Sequence, residues 1–199
     1  MIRATIVGAA GRMGRRLVAN VLENPNFTLA GAVEAPACPA LGADAGELAG
    51  CGKSGVIITA DLAAALRDAD AMICFANAGA LECVRTAVKA GVAAVVGTTA
   101  LTTEDRAELR KLADDGAKLV VAGNMSVGVN LLYKLVKEAA KVLDASYNVE
   151  IVEMHHNQKK DAPSGTAARL AEVVCEGRSS RFPTHWRPDG DPCGPPLRR

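Results

Sequence analysis

A glycine-rich turn near the N-terminus restricts the possible folds of this chain more than any other segment. The turn, Gly8-Ala9-Ala10-Gly11-Arg12-Met13-Gly14, follows a short apolar run, Ala4–Val7, and leads into a helical pattern from Arg12 to Glu23. Its first glycine permits a tight turn, its second lets the backbone approach a pyrophosphate, and its third lets the helix pack closely on the strand. The N-terminus of such a helix also offers unpaired N–H groups and a positive dipole end to an anion.

An acidic residue, Glu34, ends the second apolar run, Phe27–Val33, at the distance from the glycines where an acid accepts hydrogen bonds from an adenosine ribose. The alternative interpretation is a glycine-rich turn followed by a surface glutamate. The order strand, helix, strand, acid favours a bound nucleotide cofactor.

Apolar strand-like runs alternate with helical patterns over the first 121 residues. This order predicts an α/β fold with a doubly wound, Rossmann-type parallel sheet. The six predicted strands are Ala4–Val7, Phe27–Val33, Val56–Thr59, Ala71–Phe75, Ala93–Val96 and Lys118–Val121. The predicted helices are Arg12–Glu23, Asp61–Leu66 with Asp61 as N-cap, Ala80–Ala90 and Glu104–Asp115. The segment from Glu34 to Gly55 is expected to be a long loop or a series of short irregular turns.

A smaller, incomplete α+β domain is predicted to follow. Its expected elements are a helix, Val127–Val142, a strand, Asn148–Glu153, and a second helix, Gly165–Glu176. The segment after Gly177 is rich in proline and arginine and shows no periodicity, which indicates an irregular tail. The sequence thus predicts a nucleotide-binding domain over 1–124, a partial second domain over 125–177 and a tail over 178–199.

Charge and composition exclude several classes of function. Lys and Arg number 23 against 22 Asp and Glu, so a net charge of +1 argues against nucleic acid or an anionic membrane as partner. The apolar runs are far shorter than the roughly 20 residues of a membrane span, and the first residues do not resemble a signal peptide. The six cysteines are irregularly spaced, without a C-x-x-C pair, so we expect a cytoplasmic protein with no metal site.

Two further segments follow predicted strands. Gly97-Thr98-Thr99 comes after the fifth strand, and Ala122-Gly123-Asn124-Met125 comes after the sixth. The carboxyl ends of strands are where open α/β sheets bind ligands, although small residues there also serve as simple turn formers.

The segment Glu153–Ala167 concentrates groups that can do chemistry. It holds two of the three histidines, two lysines and a Ser-Gly-Thr sequence at the start of a helix. Histidine can deliver a proton near neutral pH, lysine supplies a positive charge, and a helix start presents N–H and hydroxyl donors to a carboxylate. A solvated polar loop with Ser164 as N-cap is the alternative. A zinc site is disfavoured because adjacent histidines lack the i, i+4 spacing of H-E-x-x-H.

Through four motifs, the chain resembles members of the dihydrodipicolinate reductase family. The resemblance extends from about Ile2 to Glu176. The four motifs are V-G-A-A-G-R-M-G, G-T-T, A-G-N-M-S-V-G-V-N and E-M-H-H-N-Q-K-K-D-A-P-S-G-T-A. The last block is highly specific to that family, whereas the glycine motif is shared by many dehydrogenases.

The resemblance implies reduction of 4-hydroxy-tetrahydrodipicolinate to tetrahydrodipicolinate with NADH or NADPH, in lysine and diaminopimelate biosynthesis. It implies that His155 is the general acid and that Lys159 is its partner. The implied ligands of the dicarboxylate substrate are His156, Ser164, Gly165, Thr166 and Thr99. The implied cofactor-binding residues are Gly8, Ala9, Gly11, Arg12, Met13, Gly14, Glu34, Gly97, Thr98, Thr99, Ala122, Gly123, Asn124 and Met125. The family also assembles as a tetramer, so a homo-oligomer is expected.

The chain departs from the family pattern in two respects. Members that favour NADPH usually carry a basic residue just after the ribose-binding acid, and this chain has Ala35 there. The further substrate-domain strands of the family are not recognisable after Gly177. The second hypothesis is therefore an inactive nucleotide-binding remnant that acts as a binding or interaction module.

Overall fold

The computed structural model describes residues 1–76, 78–98, 100–143, 146–155, 157 and 162–179. The chain divides into two compact units, Met1–Ala122 and Gly123–Arg199. The first unit contains β1 (Ile2–Val7), α1 (Arg12–Glu23), β2 (Phe27–Val33), α2 (Ala45–Ala49), β3 (Ile58–Thr59), α3 (Leu62–Ala65), β4 (Ala71–Cys74), α4 (Ala80–Lys89), β5 (Ala93–Val96), α5 (Thr103–Asp114) and β6 (Leu119–Val121). The second contains α6 (Val127–Val142) and α7 (Gly165–Gly177).

The first unit is built on one parallel sheet in the strand order β3-β2-β1-β4-β5-β6. Ile6 of β1 pairs with Ala32 of β2 on one side and with Ile73 of β4 on the other. The winding direction therefore reverses between β1 and β4. This arrangement confirms the predicted doubly wound sheet, and the reversal is the place where such sheets form a ligand crevice.

Both faces of the sheet are covered, which explains why its strands read as continuous apolar runs. Ile6 packs in one buried cluster with Val18 of α1, whereas the next residue, Val7, belongs to the cluster on the opposite face with Val84 of α4. Successive side chains of a strand point to opposite faces, so β1 contributes to both clusters.

A short helix, α2, interrupts the segment that the sequence predicts to be a loop. Asp44 is its N-cap and lies buried, with 6% of its surface exposed. Its carboxylate accepts hydrogen bonds from the backbone N–H groups of Gly46 at 2.8 Å, Ser54 at 2.9 Å and Gly55 at 2.7 Å. The prediction of a loop is wrong here because one carboxylate organises both the helix start and the chain that returns ten residues later.

The second unit packs α6 against α7. Ala140 of α6 and Ala167, Ala171 and Val173 of α7 are buried, and Lys137 forms an ion pair with Glu176. Several large apolar side chains of α6 are nevertheless exposed, among them Val127, Leu131, Leu132 and Leu135.

The strand predicted over Asn148–Glu153 is not formed. In the described part of the second unit this segment pairs with no other strand. Extended backbone becomes a strand only when a neighbour completes its ladder of hydrogen bonds, and a local sequence pattern cannot guarantee that neighbour. The predicted tail, except for Arg178 and Ser179, lies outside the described residues.

Candidate functional site

The glycine turn joins β1 to α1 and is tied to the end of β2. Gly8 adopts a φ of +80°, a conformation that favours glycine. The backbone N–H groups of Gly8 and Ala9 both donate to the carbonyl oxygen of Val33, at 2.9 and 3.1 Å. Since Val33 immediately precedes Glu34, the turn and the acidic residue are held side by side.

Close packing fixes the identity of Gly14 in the first turn of α1. A Cβ atom at this position would lie 2.7 Å from the Cα of Ala9 and would also overlap the Gly8 carbonyl oxygen. The predicted reason for this glycine, close approach of helix and strand, is therefore correct. The N-cap residue Gly11 has no side chain to satisfy the first N–H groups of α1, so these groups can donate hydrogen bonds to an anion.

Both carboxylate oxygens of Glu34 accept backbone hydrogen bonds, one of them from the glycine turn. Its Oε1 accepts a hydrogen bond from the Ala10 N–H at 2.9 Å, and its Oε2 accepts one from the Ala35 N–H at 3.1 Å. Arg12 and Met13 are exposed at the start of α1, and the Arg15 guanidinium donates to the Ala10 carbonyl oxygen at 3.0 Å. The acid thus has a fixed orientation before any nucleotide arrives.

The ends of β5 and β6 carry the other segments of the first unit that the sequence singles out. A Cβ at Gly97 would lie 2.6 Å from Cε2 of Phe75, so the Phe75 ring occupies the space that a side chain would need. Thr98 is buried, and its hydroxyl oxygen accepts from the Ala100 N–H at 3.1 Å. The Ala122 N–H donates to the Val96 carbonyl oxygen at 3.0 Å. Thr99 lies outside the described residues.

In the second unit, Asn124 joins the segment after β6 to the start of α7. Its Nδ2 donates to the Thr166 hydroxyl oxygen at 3.2 Å, and its Oδ1 accepts from the Ser126 N–H at 2.9 Å. Asn130 of α6 donates to the Asn124 carbonyl oxygen at 3.1 Å. Gly123 and Met125 flank this residue, and Met125 is exposed. The structure therefore brings Asn124 and Thr166 together, although the sequence assigns them to different ligands.

Ser164 is the N-cap of α7, as the alternative interpretation of the sequence expects. Its hydroxyl oxygen accepts from the Ala167 N–H at 3.1 Å, and its side chain is buried. Gly165 and Thr166 lie in the first turn of α7, where the backbone N–H groups point out of the N-terminal end of the helix. This geometry is compatible with a carboxylate bound at the start of α7, and equally with Ser164 serving only as a helix cap.

Glu153 connects the histidine segment to this helix start. Its Oε2 lies 2.9 Å from Nε2 of His155, and its Oε1 accepts from the Ser164 N–H at 2.9 Å. Hydrogen bonds from the Ser164 hydroxyl and then from its backbone N–H lower the pKa of Glu153 to about 2. The carboxyl group is therefore ionised at neutral pH. His156 and Lys159 lie outside the described residues.

Sequence reasoning overlooks Glu153, Asn130 and Phe75. For Glu153 a signal is available, because the i, i+2 spacing of an extended segment puts Glu153 and His155 on the same side. Within the described residues no group of three or more histidine, cysteine or acidic side chains is arranged to hold a metal ion. In the same part of the chain, every helix is too short or too polar to cross a bilayer.

In comparisons with known proteins, both units match models of the same protein family. The family described as Dihydrodipicolinate reductase, N-terminus, matches residues 2–125, and the one described as Dihydrodipicolinate reductase, C-terminus, matches residues 128–190. A solved structure described as dipicolinate-bound dihydrodipicolinate reductase from Paenisporosarcina sp. TG-14 is similar with a TM-score of 0.70 and 28% identity, over 97% of this chain and 72% of that one.

Curated relatives carry the name 4-hydroxy-tetrahydrodipicolinate reductase. The protein of Parvibaculum lavamentivorans is 47% identical over 89% of this chain and 66% of its own length. That of Syntrophotalea carbinolica is 45% identical over 88% of this chain and 66% of its own length. The chain therefore spans about two thirds of the length of these relatives.

Proposed function

This chain belongs to the dihydrodipicolinate reductase family, and from that membership we propose that it reduces 4-hydroxy-tetrahydrodipicolinate to tetrahydrodipicolinate in lysine and diaminopimelate biosynthesis. One observation carries the proposal: the matches extend over both units, and each unit contributes a preorganised element. The first has the open start of α1 beside Glu34, and the second has His155 linked through Glu153 to the start of α7.

Most of the residues proposed to bind NADH or NADPH belong to the first unit, and they fit a dinucleotide. Gly11 leaves the first N–H groups of α1 uncapped by a side chain, Gly14 permits close packing, and Glu34 can accept hydrogen bonds from a ribose. The remaining contacts are assigned to Gly8, Ala9, Arg12, Met13, Gly97, Thr98, Thr99, Ala122, Gly123, Asn124 and Met125. When bound, the reduced nicotinamide supplies a hydride.

The substrate is a dicarboxylate, and the start of α7 supports binding of one carboxylate. The N–H groups of Gly165 and Thr166 and the positive end of the helix dipole favour an anion there. Ser164, His156 and Thr99 are assigned to the same task. Ser164 caps α7 with its oxygen and contacts Glu153, so part of its role is to shape the helix start.

His155 is the proposed general acid and Lys159 its partner. Reduction of an electron-poor conjugated ring leaves negative charge that must be absorbed, and a proton must reach the neighbouring carbon. His155 is 40% exposed and can exchange its proton with water between turnovers. Lysine adds a positive charge that stabilises the developing negative charge.

The proposed division of labour follows the predicted boundaries, with nucleotide binding in 1–124, substrate binding in 125–177 and no assigned role for 178–199. We propose a homo-oligomer that works in the cytoplasm. The exposed apolar residues of α6 support association.

The test is NADH consumption with enzymatically generated substrate. We expect substrate-dependent oxidation by the wild-type chain, and we expect His155→Gln and Lys159→Ala each to lower kcat by about 10²–10⁴-fold while nucleotide affinity stays unchanged. NADH binding without any substrate-dependent oxidation would instead identify an inactive remnant. Wild-type turnover in either variant would contradict the assigned roles.

A further inference from the structure

We propose that Glu153 is a positioning residue that holds the His155 imidazole in one tautomer, with its proton on Nε2, and anchors this ring to the start of α7. The inference rests on the proposed function for its catalytic meaning. Its structural basis is independent of that function, because it consists of two contacts made by a single carboxylate.

The first contact defines the tautomer. Glu153 Oε2 and His155 Nε2 are 2.9 Å apart, which is a hydrogen-bond distance. An ionised carboxylate can only accept hydrogen bonds. The proton of this contact must therefore be carried by Nε2, and the neutral ring has its lone pair on Nδ1.

The second contact fixes the carboxylate itself. The Ser164 N–H donates to Oε1 at 2.9 Å, and Glu153 is only 24% exposed, so its side chain cannot rotate freely in solvent. Ser164 is in turn held by the Ala167 N–H at the first turn of α7. The ring of His155 thus has a defined position relative to the helix start that is proposed to bind a substrate carboxylate.

This arrangement suits an acid that must give up one proton without reorganising. In the protonated ring, Nε2 remains bonded to Glu153 and Nδ1 carries the proton that is transferred. Loss of that proton leaves the neutral tautomer that Glu153 already stabilises. A third group that orients the acid or base is a common feature of catalytic sites.

Glu153→Gln provides a sharp test, because the Ser164 N–H dictates how the introduced amide must lie. That N–H can only donate, so it selects the amide oxygen of the new side chain and turns the amide NH₂ towards His155. The ring nitrogen Nε2 must then accept, and the neutral proton moves to Nδ1. The substitution should therefore invert the tautomer while the size of the side chain is preserved.

The experiment records ¹⁵N shifts of the histidine rings at a pH where His155 is neutral, in the full chain. His155→Gln identifies the His155 signal among the three histidines. We expect the Nε2–H tautomer in the wild type and in the control Glu150→Gln, which removes the same charge from an exposed position nearby. We expect the Nδ1–H tautomer in Glu153→Gln.

Kinetics provide the second readout. Glu153→Gln should lower kcat by roughly 10-fold or more, but by no more than the 10²–10⁴-fold that a general acid typically contributes. Its KM for NADH should be unchanged. Glu150→Gln should keep wild-type rates. If the wild type shows no turnover, the proposed function fails. The ¹⁵N chemical shifts of the His155 ring would still show whether Glu153 sets its tautomer. A wild-type Nδ1–H tautomer, or one and the same tautomer in the wild type and in Glu153→Gln, overturns the inference.

Discussion

Among single residues, Gly14 shows how one missing side chain controls a binding turn. We expect Gly14→Ala to weaken NADH binding at least tenfold, about 1.4 kcal/mol, because the added Cβ would lie 2.7 Å from the Ala9 Cα and force the turn to move. Fluorescence titration measures this affinity. The control is Gly128→Ala in α6, where the nearest atom, Ser126 Oγ, is 3.8 Å away and alanine favours the helix by about 1 kcal/mol. Equal affinity in Gly14→Ala and the wild type would contradict the expectation.

The residue after the ribose-binding acid governs the choice of cofactor. Ala35 offers Glu34 its backbone N–H but has no charge to receive a 2′-phosphate, which the Glu34 carboxylate repels. We therefore expect NADH to bind at least as well as NADPH. Ala35→Arg should improve NADPH affinity about tenfold, ~1.4 kcal/mol, and the uncharged control Ala35→Gln should not. Calorimetric titration of both cofactors measures this, and a tenfold preference of the unaltered chain for NADPH would refute it.

Among the helices and strands, α2 depends on one carboxylate, which makes its stability depend on pH. Hydrogen bonds, first from the Ser54 N–H, hold the pKa of Asp44 below its ordinary value of 3.8. A depressed pKa in the folded state stabilises the protein above the ordinary value, and this contribution is lost as the pH falls below it. We expect Asp44→Asn to lower the urea midpoint at pH 7 and to flatten its decline below about pH 4.

The control for Asp44→Asn is Glu47→Gln, which removes the same charge from an exposed position in the first turn of α2. Its urea midpoint should follow that of the wild type at every pH. If Asp44→Asn declined as steeply as the wild type on acidification, the hydrogen bonds to Asp44 would not be the cause.

The same helices and strands show how much of the fold can be predicted from the sequence. The bounds predicted for α1, β2, β5 and α6 match the structure to the residue, because apolar runs and helical periodicity are signals contained within the segments themselves. The sequence does not predict α2, because the Asp44 cap depends on contacts ten residues away. The contact between Glu153 and Ser164 is not predicted for a similar reason, since the two residues are 11 positions apart. The strand expected at Asn148–Glu153 is wrong because a strand also requires a neighbouring strand, which its own sequence cannot supply.

For the chain as a whole, the exposed face of α6 predicts self-association. Val127, Leu131 and Leu135 are 84%, 54% and 58% exposed and follow one another at i, i+4 spacing, which places them on one side of the helix. Apolar patches of this kind favour association. Sedimentation equilibrium should show a mass that rises with concentration, and Leu131→Gln with Leu135→Gln should reduce the rise.

The control for this pair is Arg110→Gln, at an exposed position of α5 that is not apolar and lies outside the α6 face. It should associate like the wild type. A monomer at every concentration of the unaltered chain would contradict the expected self-association.

The strand order has a consequence for the order in which the chain can fold during synthesis. β1 is made first, yet it lies between β2 and β4. A ribosome that has released only β1 and β2 has supplied one of the two neighbours of β1. Its other edge stays open until Ala71–Cys74 has emerged, and only then does the crevice between the two directions of winding exist. The glycine turn is therefore translated before most of the sheet, whereas the site around it closes only after the fourth strand has emerged.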